Sequence, residues 1–376
     1  TGSFFTVKAI CSMICSIDAT ADKPLGDRAK VVVALSVSTS VKSTSDYDAR
    51  LQSCRDFNMA NQWKKRGISL VAMKFDVAFV GEFHALLSIY RVDGTVAISV
   101  GGIEIGQGIN TKVCQVAAHV LGIPLVYIQV KTSNNLISPN DPFTASSCTT
   151  DSVCFAVRKC CEEINSRLTP LRESLGPDVT WPVLTQAAYE AKINLNATYM
   201  FVAERDLRDY SLYGTVVTEV ELDCLTGEHR VTRVDILQNT GKSLNPYIDI
   251  GQIEGAFVMG LGHFTSEELI YNRTTGLLTT DRTWDYKVPG AKDIPEDWRI
   301  YFKKDPNIPP TGVYGSKSQG EPSILLSYSV VIALRRAIES LHRDVGQPCV
   351  FFNDEPPCTV EKNFLRCNTK IEDYTL

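Results

Sequence analysis

Apolar and polar positions set the elements along this chain. Ala85-Leu86-Leu87-Ser88-Ile89-Tyr90-Arg91 and Thr95-Val96-Ala97-Ile98-Ser99-Val100 flank Asp93-Gly94, which predicts two strands joined by a tight hairpin. Beyond a glycine-rich stretch, Ile109, Val113, Val116, Val120 and Leu121 follow helical spacing, and Gly122 with Pro124 ends that helix. Val126–Val130 reads as a further strand, and Val153, Val157, Cys160, Cys161 and Ile164 mark another helix after a polar loop from Thr132 to Thr150. Thr180 is placed to cap a helix over Val183–Ala191 with its hydroxyl. Tyr213–Leu222 and Arg230–Leu237 are expected strands around Asp223-Cys224-Leu225-Thr226-Gly227, and Asn245-Pro246 pairs a capping residue with proline at the first helical position. Residues 284–318, rich in Pro, Lys and Asp, read as a long surface loop, and one helix is expected from about Pro322 to Leu341.

Strands and helices alternate without a regular βαβ repeat, so the expected class is α+β, an irregular mixed α/β arrangement of two subdomains with mixed sheets and packed helices. Residues 1–42 give no clean period; the expected units are 43–180 and 181–376. At 376 residues, with 44% apolar and 22% charged residues, the chain has a soluble globular composition, and a net charge of -5 argues against a nucleic-acid surface. Lys64-Lys65-Arg66 and Arg335-Arg336 are short basic clusters expected on solvated faces. No apolar run reaches bilayer length. The twelve cysteines contain no C-x-x-C and read as reduced, packed thiols of a cytoplasmic protein. Thr1 in place of methionine suggests a piece of a longer protein.

Candidate chemistry concentrates in loops. Gly106-Gln107-Gly108, Asp249-Ile250-Gly251-Gln252 and Gly320-Glu321 each place a polar side chain in a glycine-bearing loop before or within a helix start, and Ser146-Ser147-Cys148-Thr149 adds hydroxyls and N–H groups. Such loops suit anionic or amide-rich ligands, and glutamine can match the donor–acceptor edge of a planar heterocycle. Glu321, followed by Pro322, is expected at a helix N-terminus and can serve as a general base; a purely capping role is the alternative. Common nucleotide signatures fail: Gly241-Lys242-Ser243 lacks the leading glycine of a P-loop, where Ile236 stands, and glycines 101, 102, 106 and 108 do not fit G-x-G-x-x-G. The five histidines never fall at metal-ligand spacing, so a metal would have to arrive with a cofactor.

Gly101-Gly102-Ile103-Glu104-Ile105-Gly106-Gln107-Gly108-Ile109-Asn110-Thr111-Lys112 resembles the GGxExGQGxxTK segment of the xanthine dehydrogenase and aldehyde oxidase family of molybdenum hydroxylases. Ser243 to Phe257 resembles its SLNPxxDxGQxEGAF segment, Ser316 to Pro322 its SKAxGEP segment, and Asn61 to Gly67 its NxWxKRG segment. The resemblance runs from about Ser43 to the C-terminus and implies the C-terminal half of the molybdopterin-binding region. It implies a molybdenum–molybdopterin cofactor held by Ile105, Gly106, Gln107, Ser146, Ser147, Thr149, Gln252 and Gly320. Glu321 would be the base that activates a molybdenum-bound hydroxyl, and Phe79 an aromatic neighbour of the substrate. An ordinary core role for Phe79 is the alternative.

The implied activity is oxidation of aldehydes to carboxylic acids, in the manner of insect aldehyde oxidases. Purine hydroxylation and a non-catalytic remnant that binds no cofactor are the alternatives. The 2Fe-2S clusters and FAD of the full-length enzyme, its first molybdopterin half and its homodimeric assembly lie outside what this chain would bind. Ser318, Gln319 and Ser323 depart from the commonest family residues around the glutamate.

Overall fold

A computed structural model of the chain describes residues 39–303, 311–346 and 355–374. Most of the unmatched segment 1–42 therefore lies outside the described residues.

The architecture is α+β, built on two four-stranded mixed sheets. The first sheet has the order β1 (Lys64–Val77), β6 (Tyr210–Asp223), β7 (His229–Gln238), β8 (Asp297–Phe302). β1 runs antiparallel to β6 from Lys64 opposite Asp223 to Val77 opposite Tyr210, and β7 and β8 are parallel. The second sheet has the order β4 (Ile128–Val130), β3 (Val96–Val100), β2 (Glu82–Ile89), β5 (Asn196–Val202). Of its ladders, β2 pairs antiparallel with both β3 and β5, and β3 pairs parallel with β4. Each sheet draws strands from both sides of residue 180: β1 joins the sheet of the later strands, and β5 joins the sheet of the earlier ones.

Helices cover these sheets. α1 (Tyr47–Ala60) lies on β1 and buries Tyr47 and Cys54 with Ile68, Val217 and Leu237. α2 (Ile109–Leu121) packs on α3 (Thr149–Leu175), and α3 covers β2 and β5. α4 (Trp181–Glu190), α5 (Pro246–Thr265), α6 (Gly320–Leu326), α7 (Ser329–Asp344) and α8 (Val360–Cys367) complete the set, with α7 laid across β1 and β6. With helices on both faces, β6 is buried along nearly its whole length, whereas β2 alternates strictly and sends Phe83, Ala85, Leu87 and Ile89 inward.

The hairpin around Asp93-Gly94, the helix ending at Gly122 and the Asn245 cap form as the sequence predicts; Asn245 Oδ1 accepts the Ile248 N–H at 3.2 Å. Several expectations are corrected. Thr180 occupies the N-cap position of α4, but its hydroxyl makes no capping bond. The strand expected over Val126–Val130 is shortened by a 3-10 turn at Leu125–Tyr127. Residues 284–318 contain β8, whose half-buried residues lack an alternating pattern, as befits an edge strand. The helix expected from Pro322 to Leu341 is split into α6 and α7. Ser327 N–H and Oγ both return to the Ile324 carbonyl, a tight turn, while Ser329 is pinned to the sheet through Ser69 and Thr218.

Lys65 is no solvated cation: it is fully buried on the core side of β1 and donates to the carbonyls of Asn58 (2.7 Å) and Asn61 (2.6 Å) and to Asp344. Eight of the nine described cysteines are buried and all nine are free; burial pushes the thiols of Cys54 and Cys160 up to about 12. Among the described residues, no helix is long and apolar enough to cross a membrane.

Two strand–helix–strand crossovers, β3–α2–β4 and β7–α5–β8, end the two sheets. Their helices are tied together by a buried ion pair. Lys112 in the first turn of α2 donates to Asp249 in the first turn of α5 at 2.8 Å, and Asp249 also accepts from Ser243 Oγ at 2.6 Å. Asp249 is 0% and Lys112 6% exposed.

Two outcomes follow for stability. A Cβ at Gly67 would overlap the Ala333 carbonyl oxygen, so Gly67→Ala forces α7 off β1 and costs about 1–3 kcal/mol by overpacking, measurable by urea unfolding. Lys112→Met strands the Asp249 charge and costs about 3–5 kcal/mol, much of which the double variant Lys112→Met/Asp249→Leu should restore; equal losses in both would refute a charge-pair origin.

Candidate functional site

The loops that leave the carboxyl ends of β3 and β7 meet the α6 loop around one cavity of about 620 Å³. Ligands of open α/β sheets also bind beyond the carboxyl ends of parallel strands. The cavity is lined by Ile105, Gly106 and Gln107 from the first loop, Leu244 from the second with Gln252 and Gly255 from the helix α5 that follows it, and Ser316 to Gln319 from the third with Gly320 and Glu321 at the start of α6. Ser147, Thr149 and Asp151 at the start of α3 close a further wall, and Lys112 reaches the cavity beside its partner Asp249. Of the residues singled out from sequence, Ile105, Gly106, Gln107, Ser147, Thr149, Gln252, Gly320 and Glu321 all face this one space.

The first loop is held by its own acid. Glu104 accepts the N–H groups of Gly106 (3.0 Å), Gly108 (2.9 Å) and Asn110 (3.0 Å). Gly106 (φ 99°) and Gly108 (φ 81°) occupy the left-handed region that glycine tolerates, and a Cβ at Gly108 would press on the Ile248 side chain. The Gln107 amide closes the turn at both ends: its Oε1 accepts the Ile105 N–H at 2.6 Å and its Nε2 donates to the Ile103 carbonyl at 2.7 Å. Glu104 lies within the motif read from sequence, yet its part in shaping the turn shows only in the fold.

Ser146 (φ 58°) and Ser147 (φ 53°) are consecutive non-glycine residues in the left-handed region, a conformation that costs about 1–3 kcal/mol each and persists where contacts over-determine it. Those contacts come from the third loop. Ser318 Oγ donates to the Ser147 carbonyl at 2.6 Å, and the Glu321 N–H donates to Ser147 Oγ at 3.3 Å. Ser146 itself is exposed and outside the cavity lining. Glu321 stands half-buried in the first turn of α6, as its sequence position predicts. Its neighbour Gly320 leaves room for a close approach: a Cβ there would lie 3.3 Å from Gln252 Oε1 and 3.9 Å from Ser147 Oγ.

The third loop is sewn to the second. Lys242 N–H donates to the Gly315 carbonyl at 2.7 Å, and Lys317 N–H to the Thr240 carbonyl at 3.0 Å, around the bridge between Gly241 and Ser316. Lys112 Nζ also lies 3.4 Å from Gln319 Oε1, so a single ammonium touches the α5 start and the segment just before Glu321.

Phe79 does not reach the cavity. It is 5% exposed and packs with Phe201 and Tyr210 at ring-centroid distances of 6.0 Å, one layer behind the wall. The sequence reading also passed over Asp151 and Tyr210. Asp151 is buried in the cavity wall; burial pushes its carboxyl above the usual carboxylate range, against the hydrogen bonds from the Val313 N–H and Ser316. Burial, then the Asp151 charge, raises the Tyr210 phenol well above its ordinary value. The partners of Asp151 lie at 210, 313 and 316, separations that no local pattern announces.

The cavity joins backbone and side-chain donors, glycine-thinned walls and two carboxyl groups, Glu321 and Asp151. Among known proteins, residues 40–295 match the family model described as the molybdopterin cofactor-binding domain. The chain is 39% identical over 344 residues to a xanthine dehydrogenase of Drosophila subobscura, covering 87% of this chain and 25% of that protein. It is 39% identical over 313 residues to indole-3-acetaldehyde oxidase of Arabidopsis thaliana, covering 80% and 23%. With aldehyde oxidase 4 of Rattus norvegicus the identity is 36% over 343 residues, covering 88% and 25%. The chain thus spans about a quarter of the length of these curated relatives. Quinoline 2-oxidoreductase from Pseudomonas putida 86 shares the fold, with a TM-score of 0.74 over 89% of this chain and 46% of its own at 20% identity. A match over most of the described fold, together with the loop motifs that converge on one cavity, places the chain in the molybdopterin cofactor-binding domain family, among the xanthine dehydrogenases and aldehyde oxidases.

Proposed function

We propose that this chain is the part of a molybdenum hydroxylase that cradles molybdopterin and supplies the general base, Glu321, for oxidation of an aldehyde to a carboxylic acid. The observation that carries this reading is the convergence of Glu321 with Gln107, Ser147 and Gln252 on one cavity, although these residues lie up to 214 positions apart (321 − 107).

The residues fit such a group. The Gln252 amide and Ser147 hydroxyl offer donors and acceptors to a polar heterocycle, while one added carbon at Gly320 would crowd Gln252 Oε1 at 3.3 Å. Gly106 and Gly255 face open space with no atom within 4 Å of an added Cβ, so a rigid ligand can lie against backbone there. A cavity of about 620 Å³ is of the size that small-molecule and cofactor sites take.

Bound there, molybdopterin would supply the two-electron redox chemistry that side chains do not offer. Ile105, Gly106, Gln107, Ser147, Thr149 and Gln252 would orient it from three sides, with Ser146 shaping the turn. Glu321 would accept, at its carboxylate, the proton released as an oxygen nucleophile attacks the substrate carbon. Lys112 is held by Asp249 on the α5 side of the cavity. Phe79 acts from behind the wall, as a support for Tyr210.

Hydroxylation of a purine is a second reading, favoured by the 39% identity to xanthine dehydrogenase that equals the identity to indole-3-acetaldehyde oxidase. In either reading the 2Fe-2S clusters, FAD and the first molybdopterin half belong to the rest of a longer, homodimeric, cytoplasmic protein.

The full-length protein should purify with molybdenum, and an aldehyde rather than a purine should reduce it in an anaerobic single-turnover assay. Absence of molybdenum would sink the cofactor reading, and reduction by purine alone would replace the substrate. Glu321→Gln should retain the metal while substrate reduction slows by about 10²–10⁴-fold; an unchanged rate removes Glu321 from the role of base. Gln107→Ala opens both ends of the Ile103–Gly108 turn and should lower molybdenum occupancy, so full occupancy by elemental analysis would count against its holding role.

A further inference from the structure

We propose that Asp151, in the cavity wall, and Tyr210, behind it, form a clamp that positions Glu321, fixing both the loop that carries the glutamate and the strained serine turn that faces it. The proposal rests on the reading of Glu321 as the base, but its geometry stands apart from that reading.

Residues 312–319 form neither helix nor strand, so their polar groups need partners from elsewhere. Asp151 supplies them from the first turn of α3. Its Oδ1 accepts the Val313 N–H at 3.1 Å and the Ser316 hydroxyl at 2.9 Å, and its Oδ2 accepts the Tyr210 hydroxyl at 3.1 Å. The loop bends toward this carboxylate at Gly312 (φ 51°), where a Cβ would stand 2.8 Å from Oδ1. Only glycine lets the backbone come so close.

Tyr210 carries the constraint onward. Its hydroxyl oxygen accepts the Ser318 N–H at 3.0 Å and lies 2.9 Å from Ser318 Oγ. Ser318 Oγ in turn donates to the Ser147 carbonyl, and Ser147 Oγ accepts the Glu321 N–H. One carboxylate and one phenol thus hold the segment at 313, 316 and 318, and through Ser318 they fix Ser147, whose hydroxyl holds the far end at Glu321. Phe79 and Phe201 brace the chain behind: Phe79 packs on Tyr210 and on Phe201, so the ring cannot swing away from the loop. Asp151, Tyr210, Val313, Ser316 and Ser318 are buried, where an unsatisfied polar partner costs about 1–3 kcal/mol, so the loop has little freedom to settle elsewhere.

The test uses Tyr210→Phe and Asp151→Asn in the full chain. Tyr210→Phe keeps the ring and its packing and removes only the hydroxyl; Asp151→Asn keeps the shape and replaces the carboxylate. Backbone hydrogen exchange should speed up by about tenfold or more at Val313, Ser318 and Glu321, with β6 and α3 protection unchanged. In the molybdenum-loaded protein, kcat should fall on the order of 10²-fold with KM and metal content held, the scale of a base displaced by about 1 Å. Tyr210→Phe should add no further loss in a Glu321→Gln background, since both act on the same proton transfer.

Unchanged exchange across 313–321 in both variants would overturn the clamp, whatever the activity. Faster exchange with unaltered kcat would show a loop anchor that does not position the base, and would overturn the proposal as well. If Glu321→Gln alone has no effect, the base reading fails, and the exchange result still judges the clamp separately. Should Asp151→Asn fail to fold, Tyr210→Phe decides.

Discussion

Two crossover helices begin where Lys112 meets Asp249, and the cavity exists because they begin together. The pair is buried, so its Coulomb attraction is set against a desolvation penalty of several kcal/mol per ion, and its net contribution to stability is small. Its importance lies in geometry. The ammonium accepts few alternative positions once it is shared between Asp249 and Gln319, and Asp249 is further fixed by Ser243. A shift of either helix by one turn would leave a charge unpaired in the interior. The loops before α2 and α5, which carry Gln107 and Leu244, are therefore registered against each other to within hydrogen-bond tolerance. Gln319 extends that register to the residue two places before Glu321.

Strain and rigidity divide the rest of the site between them. The Gly106-Gln107-Gly108 loop is relaxed: glycine takes the positive φ values and Glu104 takes the free N–H groups. Ser146-Ser147 is strained, and the strain is held by bonds from a loop more than 170 residues away in sequence. A relaxed loop opposite a strained one gives a cavity with one wall set by local sequence and another set only when the tertiary structure is complete.

That division explains what could be read from residues alone. The Asp93-Gly94 hairpin, the helix closed by Gly122, the Asn245 cap and the Gly106-Gln107-Gly108 loop rest on short-range rules, and the structure contains them; Asp249-Ile250-Gly251-Gln252, expected as a loop, instead lies inside α5. Long-range partners were invisible. Lys65 reads as one of three surface cations, yet strand alternation turns it inward beneath Asp344. The α6–α7 break follows from Ser327 and Ser329 bonding to groups on a neighbouring turn and a sheet, while local periodicity runs straight through it. β8 lacks alternation because an edge strand need not hide either face fully, so a Pro- and Lys-rich context concealed it. Phe79 and Tyr210 could be told apart as support and clamp only once their neighbours at 151 and 318 were in place.

The exchange of strands between the sheets has a bearing on how the chain reaches its native state. β1 finds its antiparallel neighbour only at residues 210–223, and β2 completes its ladder only with residues 196–202. A ribosome that has released the first half of this sequence has released a lone β1 and a three-stranded part of the second sheet with an open edge. Neither can be completed until the later strands emerge, so assembly depends on contacts distant in sequence and waits on synthesis of the second half. During that interval the nascent chain exposes unpaired, apolar β-strand edges, the form of polypeptide that chaperones bind.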